Sequence, residues 1–172
     1  RLNIPGEKEF EGKGVSFCSI CDAPIFKNKT VAVIGGGNAG LNAVIDLLPY
    51  ASKIYIFEFT ETLKGDQITQ EKIKKEPKVE IIAFAAIQEI LGQGFVSGLK
   101  YQDRKSGEIK EIKLEGVFVS IGYEPNSDLV KDLVKLDKYK QIIINHQTQQ
   151  TSQKGIWDAG DITDVLYKQI NI

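Results

Sequence analysis

The segment Gly35-Gly36-Gly37-Asn38-Ala39-Gly40 constrains the fold more than any other part of the chain. It follows Thr30-Val31-Ala32-Val33-Ile34, a short β-rich apolar run of the kind buried on both faces of a parallel sheet. It opens a stretch from Asn38 to Leu48 in which Leu41, Val44, Ile45 and Leu48 recur at helical spacing, until Pro49, which cannot continue a helix. Ile54-Tyr55-Ile56-Phe57-Glu58 reads as the next strand. A G-x-G-x-x-G pattern is weak alone and informative in this strand, turn, helix, strand setting. Gly35 is expected to permit the tight turn, Gly37 to let a pyrophosphate approach the backbone, and Gly40 to let helix and strand pack closely. The helix start at Asn38 and Ala39 then offers N–H groups and a positive dipole end to the phosphates.

A dinucleotide site of this type also wants an acid at the end of the second strand, about 20 residues on, to bond ribose hydroxyls. Glu58 stands there, and its carboxylate repels an added 2′-phosphate. The residues that follow are Phe59, Thr60, Glu61, Thr62 and Leu63, with Lys64 the first cation and no arginine nearby. The expectation is NADH in preference to NADPH. A tight turn followed by an ordinary surface acid is the bland alternative, and a Rossmann-type methyltransferase places an acid similarly but gives the cysteines no role.

Both cysteines lie in Cys18-Ser19-Ile20-Cys21. That spacing favours an intramolecular disulfide or a lowered thiol pKa. Structural zinc would need four ligands, and only His146 and scattered carboxylates could complete the set. Redox work is the stronger reading, with a purely structural disulfide as its other rival. Thiol exchange needs proton donors and acceptors, and Asp22 is the adjacent candidate, its alternative being a turn residue before Ala23-Pro24. Hydride from a nicotinamide usually reaches sulfur through a flavin. Because the chain holds one dinucleotide fingerprint, a second, FAD-binding domain is expected outside it. The absence of methionine and the start at Arg1 point the same way, to a piece of a longer chain.

Elsewhere, residues 1–28 read as a lead-in loop punctuated by Pro5, Gly6, Gly12, Gly14 and Pro24. A helix is predicted from Ile68 to Lys75 and a third strand from Val79 to Phe84. Ala86 to Leu91, Phe95 to Gln102 and Ile109 to Leu114, separated by turn-rich segments, predict a three-stranded antiparallel meander. Val117 to Ile121 returns to the buried type, a short helix is expected near Leu129 to Leu136, and a strand at Ile142 to Ile144. With 22 basic against 23 acidic residues there is no broad positive field to recruit nucleic acid or an anionic membrane. The longest apolar run, Ile81 to Ile87, is far short of a span, and no signal-peptide pattern opens the chain, so the cytoplasm is the default.

Gly14-Val15-Ser16-Phe17-Cys18-Ser19-Ile20-Cys21-Asp22, followed by Val31-Ala32-Val33-Ile34 and the glycine turn, resembles the nucleotide domain of low-molecular-weight thioredoxin reductases. Val119-Ser120-Ile121-Gly122-Tyr123-Glu124-Pro125-Asn126 and Ala159-Gly160-Asp161 resemble two later signatures of that family. Thioredoxin reductases usually carry His-Arg-Arg at the second strand end to grip NADPH. Here Glu58-Phe59-Thr60, with Leu63-Lys64-Gly65-Asp66-Gln67 and Tyr167-Lys168-Gln169-Ile170, looks more like the NADH-using flavoprotein subunit of alkyl hydroperoxide reductases.

The resemblance implies an α/β Rossmann-type three-layer domain with the meander, flanked by remnants of an FAD-binding domain. Residues 1–12 are then a connection, 13–145 the NAD(H)-binding domain and 146–172 the return segment. Cys21 would face the flavin, Cys18 would attack the partner's disulfide and Asp22 would serve as acid. Ile121 and Gly122 are carried over as cofactor-binding, and Asp161 would bond the FAD ribityl chain. The acceptor is expected to be a thioredoxin-like or peroxiredoxin-system protein, and the full-length enzyme a homodimer. An NADPH-dependent thioredoxin reductase and a nucleotide-binding module without turnover are the alternatives.

Overall fold

The architecture is that of a computed structural model, which describes residues 1–166. The chain divides into two compact units, Arg1–Gly122 and Tyr123–Ile172. These limits differ from the expected boundaries after residues 12 and 145. The first segment joins the first unit because Phe10 is buried in its core and the buried Glu7 carboxylate accepts the N–H groups of Leu2 and Asn3.

In the first unit, strands β1 (Val15–Ser16), β2 (Thr30–Ile34), β3 (Lys53–Phe57), β4 (Val79–Ile82) and β8 (Gly116–Val119) form one parallel sheet in the order β1-β8-β2-β3-β4. Helices α2 (Asn38–Leu47) and α3 (Gln67–Lys74) connect β2 to β3 and β3 to β4. Between β4 and β8 no helix intervenes. The crossover is made by the antiparallel meander β5 (Ala85–Gln93), β6 (Phe95–Asp103) and β7 (Ile109–Lys113), which forms its own sheet.

Alternation along the strands shows how the layers stack, since successive side chains point to opposite faces. Val31 and Val33 join Ile54, Ile56 and Phe118 in a core with Leu41, Val44 and Leu47 of α2. Ala32 and Ile34 face the other way, with Phe57, Val117 and Val119, and pack with Ile90, Val96, Leu99 and Tyr101 of the meander. Helices, parallel sheet and antiparallel sheet therefore make three layers, which bears out the expected fold class. It also explains why the central strands carry no polar face.

Local differences from the sequence reading have physical causes. The lead-in segment is more regular than its glycines and prolines suggest: β1 pairs with β8, and a single-turn helix α1 (Ser19–Asp22) runs into a 3-10 turn at Ala23–Phe26. Elements of two to four residues are too short to leave a periodic signature. Helix α3 starts one residue early, because the Asp66 carboxylate caps it by accepting from Thr69 N–H at 2.8 Å.

The second unit holds a small core of Val134, Ile142 and Ile144. Leu129 to Leu136 does not form the expected helix. It makes separate turns, Val130 N–H to Ser127 and Leu133 N–H to Val130, with Leu129 left 92% exposed and Leu133 also exposed, so only alternate members of the apparent apolar stripe face inward. Nor is Ile142 to Ile144 a strand; Ile142 and Ile144 make isolated bridges to Leu136, Thr163 and Thr151. Among the described residues no helix is long and apolar enough to cross a membrane.

Candidate functional site

A cleft of about 600 Å³ opens over the carboxyl ends of β2 and β3, lined by Gly35, Gly36, Gly37, Asn38 and Ala39, by Glu58 and Phe59, and by Ser120, Ile121 and Gly122 beyond β8. Open parallel sheets hold ligands at this edge. The first unit alone builds it. Gly35 turns with φ +108°, and a Cβ there would strike the Ser120 carbonyl oxygen. A Cβ on Gly40 would collide with the Gly35 carbonyl oxygen, so the last glycine is required by the turn itself, while Val33 of β2, 3.6 Å away, would be in ordinary contact with it. Around Gly37 the space is open, with no atom within 4 Å of where a side chain would begin. No side chain caps α2 at Gly37, so the first-turn N–H groups stay available at the cleft. A pyrophosphate fits this cradle on backbone donors alone.

Glu58 is only 7% exposed, and hydrogen bonds satisfy both of its carboxylate oxygens. Oε2 accepts from Gly36 N–H at 2.8 Å, and Oε1 from the N–H and hydroxyl of Thr60 at 2.9 and 2.7 Å. Burial pushes the carboxyl up, but the bonds from Thr60 and Gly36, helped by Lys64, outweigh it and hold its pKa below the ordinary carboxylate value. The carboxylate is thus fixed, ionised and aimed by the turn it serves. Gly36, to which the fingerprint assigns no role, is tightly enclosed: a Cβ there would lie 2.8 Å from Glu58 Oε2 and closer still to a Leu63 methyl, so those side chains would have to shift. The loop after β3 closes on the same residue, with Lys64 and Gly65 N–H donating to Gly36 O at 2.8 and 3.0 Å. Asn38 Oδ1 accepts from Asp66 N–H at 2.7 Å, linking the start of α2 to the cap of α3.

No arginine is near Glu58 along the chain, but Arg104, from the turn between β6 and β7, donates to the Phe59 carbonyl oxygen at 2.9 Å. Its guanidinium lies 3.8 Å from the centre of the Phe59 ring. Their separation of 45 positions hides the pair from any local pattern. Strand register would expose it only to a reader who knew where β5 and β6 shift against each other.

Cys18 and Cys21 form a disulfide, their Cα atoms 5.3 Å apart. Both are exposed, beside Phe17, Ile20 and Ile25, apolar side chains left open to solvent, Ile20 by 81%. Cys18 is the cap of α1: its Sγ accepts from Cys21 N–H at 3.3 Å, and its carbonyl accepts from Asp22 N–H at 3.2 Å. The half-buried Asp22 ends α1. Neither cysteine lines the cleft, so the turn and the disulfide are separate stations within one unit.

Asp161 lies exposed in the second unit, after Gly160 at φ +90°. His146, unassigned by sequence, sits 3.3 Å from Asp164. Tyr167-Lys168-Gln169-Ile170 lies outside the described residues.

A three-layer Rossmann-type domain with a glycine-turn cleft and a closely spaced disulfide defines a narrow class of protein. The chain belongs to the pyridine nucleotide-disulphide oxidoreductase family, whose pattern matches residues 1–172. It is 46% identical over 172 residues to the F subunit of the Pseudomonas putida alkyl hydroperoxide reductase, covering 99% of this chain and 33% of that protein. The corresponding protein of Staphylococcus aureus (strain MRSA252) is 43% identical, over 100% of this chain and 34% of its own length. The chain therefore spans about a third of these relatives. Among solved structures, Lactococcus lactis thioredoxin reductase superposes with a TM-score of 0.92 at 31% identity, covering 99% of this chain and 56% of that one. The T. acidophilum thioredoxin reductase gives 0.90 at 39% identity, covering 98% and 56%.

Proposed function

We propose that this chain is the NADH-binding, dithiol-carrying domain of a larger flavin-dependent disulfide reductase. Its electrons pass to a thioredoxin-like protein or into a peroxiredoxin system. The observation that carries this reading is the presence, in one compact unit, of the glycine-turn cleft and the exposed Cys18–Cys21 disulfide.

Backbone N–H groups around Gly35, Gly37, Asn38, Ala39 and Gly40 hold the pyrophosphate, Glu58 takes the adenosine ribose hydroxyls, and Ile121 and Gly122 border the cofactor. FAD, when bound, supplies the relay that accepts the nicotinamide's two electrons and passes them to sulfur. Cys21 would be the cysteine that faces the flavin when it is bound. The thiolate of Cys18 attacks the acceptor's disulfide, and Asp22 moves the proton that exchange requires. Of the flavin's own site, Asp161 is the contribution of this chain, through the ribityl chain. The connections to that domain run through residues 1–12 and 146–172, and the whole enzyme is a cytoplasmic homodimer.

Titration of the chain with NADH and NADPH, followed by nicotinamide fluorescence, tests the cofactor. NADH is expected to bind more tightly, and a clear preference for NADPH would contradict the role of Glu58. Counting thiols before and after reductant tests the pair, with two new thiols expected. A second reading, an NADPH-dependent thioredoxin reductase, is favoured by the guanidinium of Arg104, which stacks on Phe59, a residue of the cleft lining.

A further inference from the structure

We propose that Ser19 and Asp46 form a positioning pair that keeps the cysteine turn closed once its disulfide has been reduced. The inference rests on the redox reading of Cys18 and Cys21 above.

Ser19 Oγ donates to Asp46 Oδ2 at 2.7 Å, across 27 residues of sequence, and ties α1 to α2. Asp46 lies in the last turn of α2, where the helix dipole is negative at its end and disfavours a carboxylate. No basic residue of that turn offsets it. An acid in this costly place needs a reason, and its bond to Ser19 supplies one. Helix α1 has the greater need of the bond. It is four residues long, far below the length at which a helix sustains itself. Helix α1 itself contributes no buried residue; the buried Ala23 and Phe26 belong to the 3-10 turn beyond it.

While Cys18 and Cys21 are joined, the covalent bond closes the turn. Reduction breaks the S–S bond, delivers two electrons and two protons, and leaves two thiols held by non-covalent contacts. Of these, Cys21 N–H to Cys18 Sγ, at 3.3 Å, lies within the turn and moves with it. The Ser19–Asp46 bond instead anchors the turn to a ten-residue helix packed in the core. It therefore orders the dithiol more than the already closed disulfide. Holding one sulfur near the other raises their effective concentration and favours closure. The pair thus lowers the tendency of the disulfide to be reduced, and sets how readily the turn gives up its electrons.

The test equilibrates this chain with mixtures of reduced and oxidised dithiothreitol, so that each Cys18–Cys21 disulfide opened produces one cyclic oxidised dithiothreitol. Alkylation and mass measurement count the thiols. Ser19→Ala and Asp46→Ala are each expected to move the equilibrium constant about threefold to tenfold toward the dithiol. The double variant should go no further, and Ser19→Thr should restore the starting value. Urea unfolding of both redox forms separates positioning from structure. If the variants lower the stability of the oxidised and reduced proteins equally, and leave the equilibrium constant in place, the proposal is overturned. Additive shifts overturn it too, because the residues then act independently. If the unaltered chain yields no thiols at any dithiothreitol ratio, the redox reading itself fails and takes this inference with it.

Discussion

The glycine turn and the cysteine turn occupy the same unit and are held by different kinds of force. At the glycine turn, atoms approach so closely that a single added carbon at Gly35, Gly36 or Gly40 meets backbone or a fixed side chain. At the cysteine turn, the sulfurs are exposed and the chain is held by a few hydrogen bonds that water can replace. A cradle for a pyrophosphate gains by being rigid before its ligand arrives, since the cost of ordering is then already met. A disulfide that must open, close and meet other groups gains by yielding. The contrast teaches that close atomic contact is concentrated where recognition occurs, while the place of bond exchange is held by its disulfide and a few hydrogen bonds, the Ser19–Asp46 bond among them.

The sharpest way to break that contrast is Gly40→Ala. The new Cβ would overlap the Gly35 carbonyl oxygen, and backbone cannot move aside as a flexible side chain can. A loss of about 3 kcal/mol in unfolding free energy is expected, together with loss of NADH binding, read by urea denaturation and nicotinamide fluorescence. An undiminished protein would show the turn to be far softer than its contacts imply.

Glu58→Gln comes next. The amide keeps one oxygen for Gly36 or Thr60 but presents no charge, so NADH affinity should fall about tenfold and discrimination against NADPH should narrow. The same residue predicts a pH dependence. Its folded pKa is depressed, so its contribution to stability is present above the unfolded value of about 4.3 and is lost as pH falls through the folded value. Unfolding free energy measured from neutral pH downward should drop more steeply in that acidic window for the unaltered chain than for the variant. Parallel curves would show that the bonds from Thr60 and Gly36 do not favour the ionised form.

Arg104→Ala should act more gently and on one ligand more than the other. Arg104 is exposed, and its contact with Phe59 is worth about 0.5–1 kcal/mol. NADPH affinity is expected to fall several-fold while NADH affinity changes little, because only NADPH carries the extra phosphate that a guanidinium would attract. Equal losses for both nucleotides would make Arg104 a support for Phe59 alone and remove the observation that favours the NADPH reading.

The same two regions differ in how far the sequence disclosed them. Glycine spacing, the apolar strand before it and the acid after it each have a local physical cause, so Gly35, Gly37, Gly40 and Glu58 could be picked out together; Gly35, Gly37 and Glu58 line one cleft, and Gly40 packs behind the turn against the Gly35 carbonyl. Gly36 and Arg104 escaped because their importance is set by contacts with Glu58 and Phe59 that depend on tertiary approach. Around the cysteines, the spacing favoured a disulfide or a lowered thiol pKa, but β1 and α1 are too short for periodicity and looked like loop. In the second unit, Leu129 to Leu136 carried helical spacing with too little buried surface to use it, since Leu129 and Leu133 remain in solvent. Periodicity speaks for an element only where a core exists to reward it.

Ser16→Ala probes the softer region and should have the smallest effect. Ser16 Oγ accepts from Cys18 N–H at 3.1 Å and donates to Cys18 O at 3.3 Å, from a buried position on β1. Alanine fits the same space, and because Cys18 itself is exposed, water can satisfy the freed backbone groups. The expected cost is about 0.5–1 kcal/mol in unfolding free energy, with NADH affinity unchanged because Ser16 does not line the cleft. A loss approaching that of Gly40→Ala would mean that the cysteine turn is as firmly built as the glycine turn. The division of labour between a rigid cradle and a yielding dithiol would then have to be abandoned.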